Sequence, residues 1–422
     1  MAARLYTTLL LLPLTTQALE RLDDGDMAAV TGQQGVSIIS DYGFEIDSIS
    51  LTDSDDGGVA SMTDIVFGTR VNRKQRVDFE ISDERTLYDE RYGAGAYDLA
   101  NGGPAANSRQ VLAFFNRDLP YDVTVGALEI NNRAVASFGI TDFEVNAFSH
   151  LTGFTAGLHP DDLSMNVYAY AGGADGRGIT FDVEIPKTAQ YEQYVEINGV
   201  QFIGTVRHID ADPDDPNLAI NNAGDDGYNP AWDTNSDGRH TIDDYEGGLV
   251  ARGMTLDGVA EGMRIGLPTI ENGLVAITDF RIGNEEVGYD YLNDIVLKNI
   301  SLTGGHLILK PDAIAGQSSI NIDGQVNTGT GFTYIYRDPN DQLRADISLT
   351  KDLTIADMSI NTDDVEGYVI GLGEVRGQVF VDNMTMAPNF LTDAERTRVA
   401  PLGELTVNLN IANTSYLHIT GN

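Results

Sequence analysis

Cysteine is absent from the 422-residue chain, which removes thiol catalysis, disulfide bridges and cysteine zinc sites together. Positive charge is scarce: 26 Lys and Arg stand against 64 Asp and Glu, for a formal net charge of −38. So few cations argue against a surface that neutralises nucleic-acid phosphates or docks on anionic lipid. Long apolar runs are missing, and no segment reaches the roughly 20 residues that span a bilayer as a helix. An outer-membrane barrel is disfavoured, because the candidate strands are rich in acids and the chain ends His418-Ile419-Thr420-Gly421-Asn422 without an aromatic. Catalytic signatures are lacking as well. His150, His159, His208, His240, His306 and His418 are dispersed with no HExxH pair, and there is no GxSxG elbow or phosphate-binding glycine loop. The chain reads as a non-enzyme, with no residue to nominate for catalysis.

What is present is a hydrophobic content of 42%, enough for a substantial core. Acidity of this size suits salty or calcium-rich surroundings, where divalent ions relieve self-repulsion. Residues 1–18, MAARLYTTLLLLPLTTQA, have the layout of a secretory signal. Arg4 is the positive start, Leu9 to Leu14 the short apolar stretch, and Thr16-Gln17-Ala18 the small-residue cleavage site. The expected location is therefore outside the cell or on its outer surface, without a transmembrane segment.

The mature chain then opens with Leu22-Asp23-Asp24, Val30-Thr31-Gly32-Gln33 and Gly35-Val36-Ser37-Ile38. This opening resembles that of many secreted proteins of Gram-negative bacteria, some of them described as pilus-system (fil-type) proteins. The resemblance covers about twenty residues and implies export, a surface location and self-assembly or surface partners.

From residue 36 onward the pattern is strand, turn, strand. Phe44-Glu45-Ile46-Asp47-Ser48-Ile49-Ser50-Leu51, Asn166-Val167-Tyr168-Ala169-Tyr170 and Leu405-Thr406-Val407-Asn408-Leu409-Asn410-Ile411 alternate as half-buried strands do. Asp53 to Gly58 reads as a hairpin turn. Helical periodicity is sparse, with candidates at the N-terminal stretch, Asp244–Val250 and Leu391–Arg398. One six-residue pattern recurs around Asp64, Asp142, Asp279, Asn299, Asp357 and Asn383: apolar residues at the first, fourth and sixth places, Asp or Asn at the third. Apolar parity changes at the polar residue, so the inward face switches there, as at a bulge or bend. The expected fold is all-β, a large, mainly antiparallel sandwich or elongated sheet assembly, with a parallel β-helix as the alternative. The similar segments around Asp142 and Asp279, and those near 179 and 320, hint at two related β-rich regions, 19–207 and 248–422. Between them lies an acidic insert at 208–247.

The insert carries the clearest chemistry. Asp233, Asn235, Asp237, Gly238, Arg239, Thr241 and Asp244 occupy positions 1, 3, 5, 6, 7, 9 and 12 of a calcium loop. A hard cation takes six to eight oxygens at about 2.3–2.6 Å, and alternating oxygen-bearing residues on a curled loop supply them. Gly238 permits the sharp turn, and Arg239 contributes its backbone carbonyl alone. Gly, Asn and Pro upstream rule out an incoming helix, so the loop is an isolated Ca²⁺ site rather than a helix–loop–helix switch. Asp210, Asp212 and Asp214 are candidates for a second ion. The Gly-, Ala- and Asn-rich segment Asp83–Arg109 reads as an exposed loop whose Tyr88, Tyr92 and Tyr97 are placed to meet a partner or glycan. Three functions fit: a calcium-stabilised structural or adhesive surface protein of the kind a pilus-like system contains; a calcium-dependent carbohydrate-binding module; and a polysaccharide-degrading β enzyme. Aromatics beside the loop (Tyr228, Trp232, Tyr245) would favour the second, and two fixed carboxylates in a cleft the third.

Overall fold

A computed structural model describes residues 35–40, 43–52, 59–69, 74–100, 108–118, 121–130, 133–150, 154–155, 157–174, 178–197, 199–210, 241–242, 245–260, 262–284, 286–312, 319–337, 341–363, 367–371, 373–388, 399–412 and 416–419. Residues 1–34, with the expected leader and most of the N-terminal motif, and the helix candidate at 391–398 lie outside them. In chain order the strands are β1 (Gly35–Ser40), β2 (Phe44–Thr52), β3 (Val59–Thr69), β4 (Gln75–Asp83), β5 (Gln110–Asp118), β6 (Tyr121–Ile130) and β7 (Arg133–Glu144). They continue with β8 (Met165–Ala171), β9 (Ile179–Ile185), β10 (Gln190–Ile197), β11 (Val200–Arg207), β12 (Leu249–Val259), β13 (Gly262–Asn284) and β14 (Gly288–Asp312). The last seven are β15 (Ser319–Val326), β16 (Gly331–Arg337), β17 (Asp341–Asp363), β18 (Gly367–Gly371), β19 (Glu374–Pro388), β20 (Gly403–Ile411) and β21 (Tyr416–Ile419).

These strands form two antiparallel series that share their longest members. The first runs β2-β3-β6-β7-β10-β11-β13-β14-β16-β17-β19-β20. The second runs β1-β4-β5-β8-β9-β12-β13-β14-β15-β17-β18-β21. One half of β13, β14 and β17 pairs in each series. Gly262–Ile270 of β13 lies along β12, whereas Ala276–Gly283 lies along β11. The strands pair antiparallel from β2 to β20 and from β4 to β21, which excludes the parallel β-helix and bears out the antiparallel assembly. The chain therefore alternates between the two series in hairpin pairs, and β11, before the insert, pairs with β13, after it.

The six corners read from the sequence are where the backbone leaves ordinary strand geometry. Asp64, Asp142, Asp279, Asn299, Asp357 and Asn383 all have φ between 50° and 56°, and Asn272 joins them at 55°. This left-handed region is open to Asp and Asn because their short polar side chains bond locally. The pairing register slips at 142, 272, 279, 299, 357 and 383, two residues opposing one, as a bulge requires. A bulge leaves a backbone N–H without a ladder partner, and carboxylates supply one. The Asp142 N–H donates to Asp122 Oδ1 at 2.9 Å, and the Asp357 N–H to Asp323 Oδ1 at 2.9 Å. The Asn383 N–H donates to Asp382 Oδ1 at 2.7 Å. Part of the chain's acidity is thus structural. Asp142→Val should destabilise by about 1–3 kcal/mol through backbone strain, whereas Asp142→Gly should stay within about 1 kcal/mol of wild type. Denaturant titration of the two variants compares them directly; equal losses would remove the left-handed backbone as the cause.

Among the described residues two small cores are enclosed. Leu274, Ala276, Val296 and Ile335 pack on one face of the first series. Phe148, Phe154, Ile209 and Ile242 pack where the insert leaves and rejoins the sheet, with Leu158 and Tyr245 against them.

Two expectations are corrected. In the candidate Asp244–Val250, the described residues 245–250 do not form a helix. Gly247 bridges Ile209, Gly248 sits at φ 81° and Leu249 opens β12, a double-glycine return that a helix does not tolerate. Segment 83–109 is not simply a loop, for it contains α1 (Glu84–Tyr92) and α2 (Ala96–Ala100). Asp83 caps α1 by accepting the Thr86 N–H at 3.2 Å, Glu84 lies in the positive first turn and Arg91 in the negative last one. Gly93, at φ 100°, ends the helix and returns its N–H to Asp89 O at 2.9 Å.

Candidate functional site

The capped α1 lies beside one face of the second series and closes a cleft of about 510 Å³. Strand alternation sets its floor. Val111 and Phe115 project from β5, Tyr168 and Tyr170 from β8, and Asp182 and Glu184 from β9, each pair with side chains on the same face. The register places Tyr168 directly across from Asp182. Glu84, Tyr88, Arg91 and Tyr92 of α1, Tyr97 of α2 and Arg109 complete the wall. Tyr88 and Tyr92 lie with ring centroids 4.6 Å apart, and Tyr97 meets Tyr88 edge-on at 6.1 Å.

The carboxylates of this cleft are matched within the protein. Arg91 Nη1 donates to Glu184 Oε2 at 2.7 Å, and its Nε to Asp162 Oδ1 at 2.8 Å. Burial opposes the Arg91 charge, but Glu184 and Asp162 outweigh it and hold the guanidinium more firmly protonated than usual. Glu184 also accepts from Asn166 Nδ2 at 3.2 Å and Tyr168 OH at 3.4 Å. Arg109 grips Glu84 through Nε at 3.0 Å and lies over the Tyr170 ring at 3.9 Å. Asp182 accepts the Gly253 N–H at 2.6 Å. Asp161, at the margin, pairs with Arg117 at 2.5 Å. Burial, then the neighbouring carboxylates, pushes the phenols of Tyr168 and Tyr170 well above the usual range, so both remain protonated donors.

A second recess of about 790 Å³ shares Arg91, Tyr92, Asp161, Glu184 and Arg252 with the cleft and reaches Lys187, Ile242 and Gly247 at the base of the insert. That base is tightly held. The Gly248 N–H donates to His208 O at 2.6 Å, and the Asp210 N–H to Glu246 O at 3.4 Å. Lys187 Nζ donates to Tyr245 O at 2.7 Å, and the Ile242 N–H to Phe154 O at 3.0 Å. His208 is buried with Nδ1 3.1 Å from Leu274 O, and burial lowers its affinity for a second proton.

Of the calcium-loop residues Asp233, Asn235, Asp237, Arg239, Thr241 and Asp244, Thr241 alone falls among the described residues. It is 5% exposed and follows the loop into the Phe148–Phe154 core through Ile242. Asp210, a candidate for a second ion, is otherwise engaged. Its carboxylate takes Arg337 Nη1 at 2.7 Å, Nη2 at 2.9 Å and Lys298 Nζ at 2.9 Å. Burial would raise its pKa, but Arg337 and Lys298 prevail and hold it at about 2. With its oxygens spent on cations, Asp210 anchors the insert and is no calcium ligand. Asp212 and Asp214 lie outside the described residues, as do Tyr228 and Trp232. Tyr245 does not stand exposed beside the loop, for its ring packs 5.8 Å from Phe154.

The expected turn at Asp53 to Gly58 also lies outside the described residues; on either side of it Thr52 pairs with Val59. Tyr88, Tyr92 and Tyr97 were legible as contact candidates, and the structure gathers them. Sequence alone missed Tyr168, Tyr170, Asp182 and Glu184. Their alternation on β8 and β9 was the available signal, but nothing local said that α1 would cover that face.

Among known families, the model of a family of unknown function (DUF6160) matches residues 1–90. The described part of that span is β1 to β4 with the first turns of α1. No curated protein and no solved structure matches the chain.

Proposed function

We propose that the chain is an exported structural and adhesive protein of the Gram-negative cell surface, a component of a pilus-like system, whose insert is stiffened by Ca²⁺ and whose cleft contacts a neutral saccharide. One observation carries the adhesive part: a tyrosine-lined cleft whose carboxylates are already met by Arg91, Arg109, Arg117 and backbone N–H groups. Such a surface leaves none of these carboxylates free to hold a cationic ligand. It does offer ring faces, buried phenol donors and fixed carboxylate acceptors to a polyhydroxylated one. The adjoining recess lengthens it towards the insert, suiting an extended chain. Calcium is supported by the loop's positional match, and by an insert whose two ends are pinned so that ordering the loop stabilises the sheet it leaves.

Calorimetry with neutral β- and α-linked oligosaccharides tests the cleft. Tyr168→Phe together with Tyr88→Ala should weaken binding at least tenfold while leaving the unfolding transition cooperative. Equal affinity in the variant, or no binding by wild type to any neutral glycan, would remove the saccharide. A polysaccharide-degrading enzyme is the second reading, favoured by Asp182 and Glu184 standing on one face of β9 in that cleft. It requires turnover that Asp182→Asn abolishes.

A further inference from the structure

The two series of strands end alike. At one end of the first lies β2, paired with β3 on one side only; at the other lies β20, paired with β19 only. Among the described residues neither has a second neighbour. Both strands are nine residues long. Both are also poorly covered on their faces. Phe44 is 41% and Ile49 45% exposed in β2, and Leu405 is 52% and Val407 38% exposed in β20. An uncovered edge presents a row of free N–H and C=O groups, and proteins that stay monomeric blunt it with Lys, Pro or a bulge. Neither β2 (FEIDSISLT) nor β20 (GELTVNLNI) contains Lys, Arg or Pro.

Strand parity says what fits there. The first series holds twelve strands, β2-β3-β6-β7-β10-β11-β13-β14-β16-β17-β19-β20, and each step is antiparallel. With an even number of strands, β2 and β20 run in opposite directions. Copies related by translation along the sheet would then set β20 of one beside β2 of the next antiparallel, and the alternation continues unbroken. An odd number would have made that joint parallel. The second series, β1-β4-β5-β8-β9-β12-β13-β14-β15-β17-β18-β21, also holds twelve and is antiparallel at each step from β4 to β21.

We infer that copies of this chain add head to tail, the outer edge of β20 in one copy pairing antiparallel with the outer edge of β2 in the next. The contact is heterologous: its two surfaces differ, so each added copy exposes a fresh edge and the assembly grows as a filament instead of stopping at a dimer. Its repeat along the sheet is about 58 Å, twelve strands at about 4.8 Å each. Each copy carries a formal net charge of −38, so neighbouring copies repel. Added salt or calcium therefore strengthens the joint by screening. The inference rests on the structural reading of the protein and uses neither the cleft nor the calcium loop.

The absence of native cysteine makes a clean test possible in the full mature chain. Val407→Cys and Ile49→Cys proteins are prepared separately, mixed, and treated with a short bismaleimide. The expected product is a cross-linked dimer in the mixture, at least tenfold above either protein alone. Sedimentation adds a second reading. Wild type should form a concentration-dependent series, lengthened by salt. A β20-blocked variant (Thr406→Lys with Val407→Lys) and a β2-blocked variant (Ser48→Lys with Ile49→Lys) should each be monomeric, and their mixture should stop at dimers. Wild type that stays monomeric up to about 100 μM in salt, or Val407→Cys that cross-links to itself as well as to Ile49→Cys, overturns the joint. Neither result touches the structural reading, which instead falls if the purified chain turns over a polysaccharide.

Discussion

Arg337→Met is expected to destabilise the protein by about 3 kcal/mol, because it strips two of the three cationic bonds from a carboxylate that is largely out of water. Asp210 is the last described residue on the outgoing side of the insert, and Arg337 closes β16, 127 positions later in the chain. Their pairing ties the departure point of the insert to the sheet, with Lys298 bridging Asp210 at 2.9 Å to Glu246 at 3.1 Å on the returning side. Removing Arg337 leaves Lys298 as the sole strong partner. Chemical denaturation measures the loss, and the double variant Arg337→Met with Asp210→Asn should recover part of it, because the buried charge is then gone. A single variant as stable as wild type would show that the insert is not anchored here.

The same site gives the protein an acid limit of definite sign. Asp210 is held at about 2 in the folded chain, below the value of about 3.9 expected when unfolded. A depressed carboxyl pKa contributes its full stabilisation above the unfolded value and loses it as pH falls through the folded one. The shift corresponds to about 2–3 kcal/mol, lost between about pH 4 and pH 2. Asp210→Asn should flatten that part of the stability profile. Other carboxylates held low by partners, Asp78 and Asp323 among them, leave a residual slope of the same sign.

The corners were legible in the sequence because they break a period. A strand repeats every two residues, so a shift of apolar parity at an Asp or Asn marks a local cause, and all six such places carry left-handed backbone. Asn272 escaped because Gly273 occupies the place where the pattern expects an apolar side chain. The strands at 44–51, 166–170 and 405–411 were legible by alternation for the same reason. What stayed hidden depends on distance along the chain. Glu184 meets Arg91 across 93 residues, and Asp210 meets Arg337 across 127, with no local feature to announce either. The helix over 84–92 was hidden differently: Gly, Ala and Asn between 93 and 107 dominate the composition of the segment and mask nine residues free of Gly and Pro behind a capping Asp83. Asp210 shows the converse error. In sequence it belongs to a run of alternating acids, whereas in the fold it faces inward to two cations.

Calcium is the claim that joins the sequence to the proposed role, and its effect on stability is the most direct test. An isolated extracellular loop of this type binds at about 10⁻⁴–10⁻³ M. At free calcium near 100 times the dissociation constant, linkage adds about 2.7 kcal/mol to any state that binds only when folded. The insert is pinned at both ends by the Ile209–Gly247 bridge and the Phe148–Phe154–Ile242 core, so a loop ordered by calcium stabilises that core directly. The measurement is thermal unfolding of the mature chain in 10 mM calcium and in EGTA, for wild type and for Asp233→Ala with Asp237→Ala. A midpoint that rises by several degrees in wild type and stays fixed in the double variant is the predicted result. An equal midpoint for wild type in calcium and in EGTA would contradict the account.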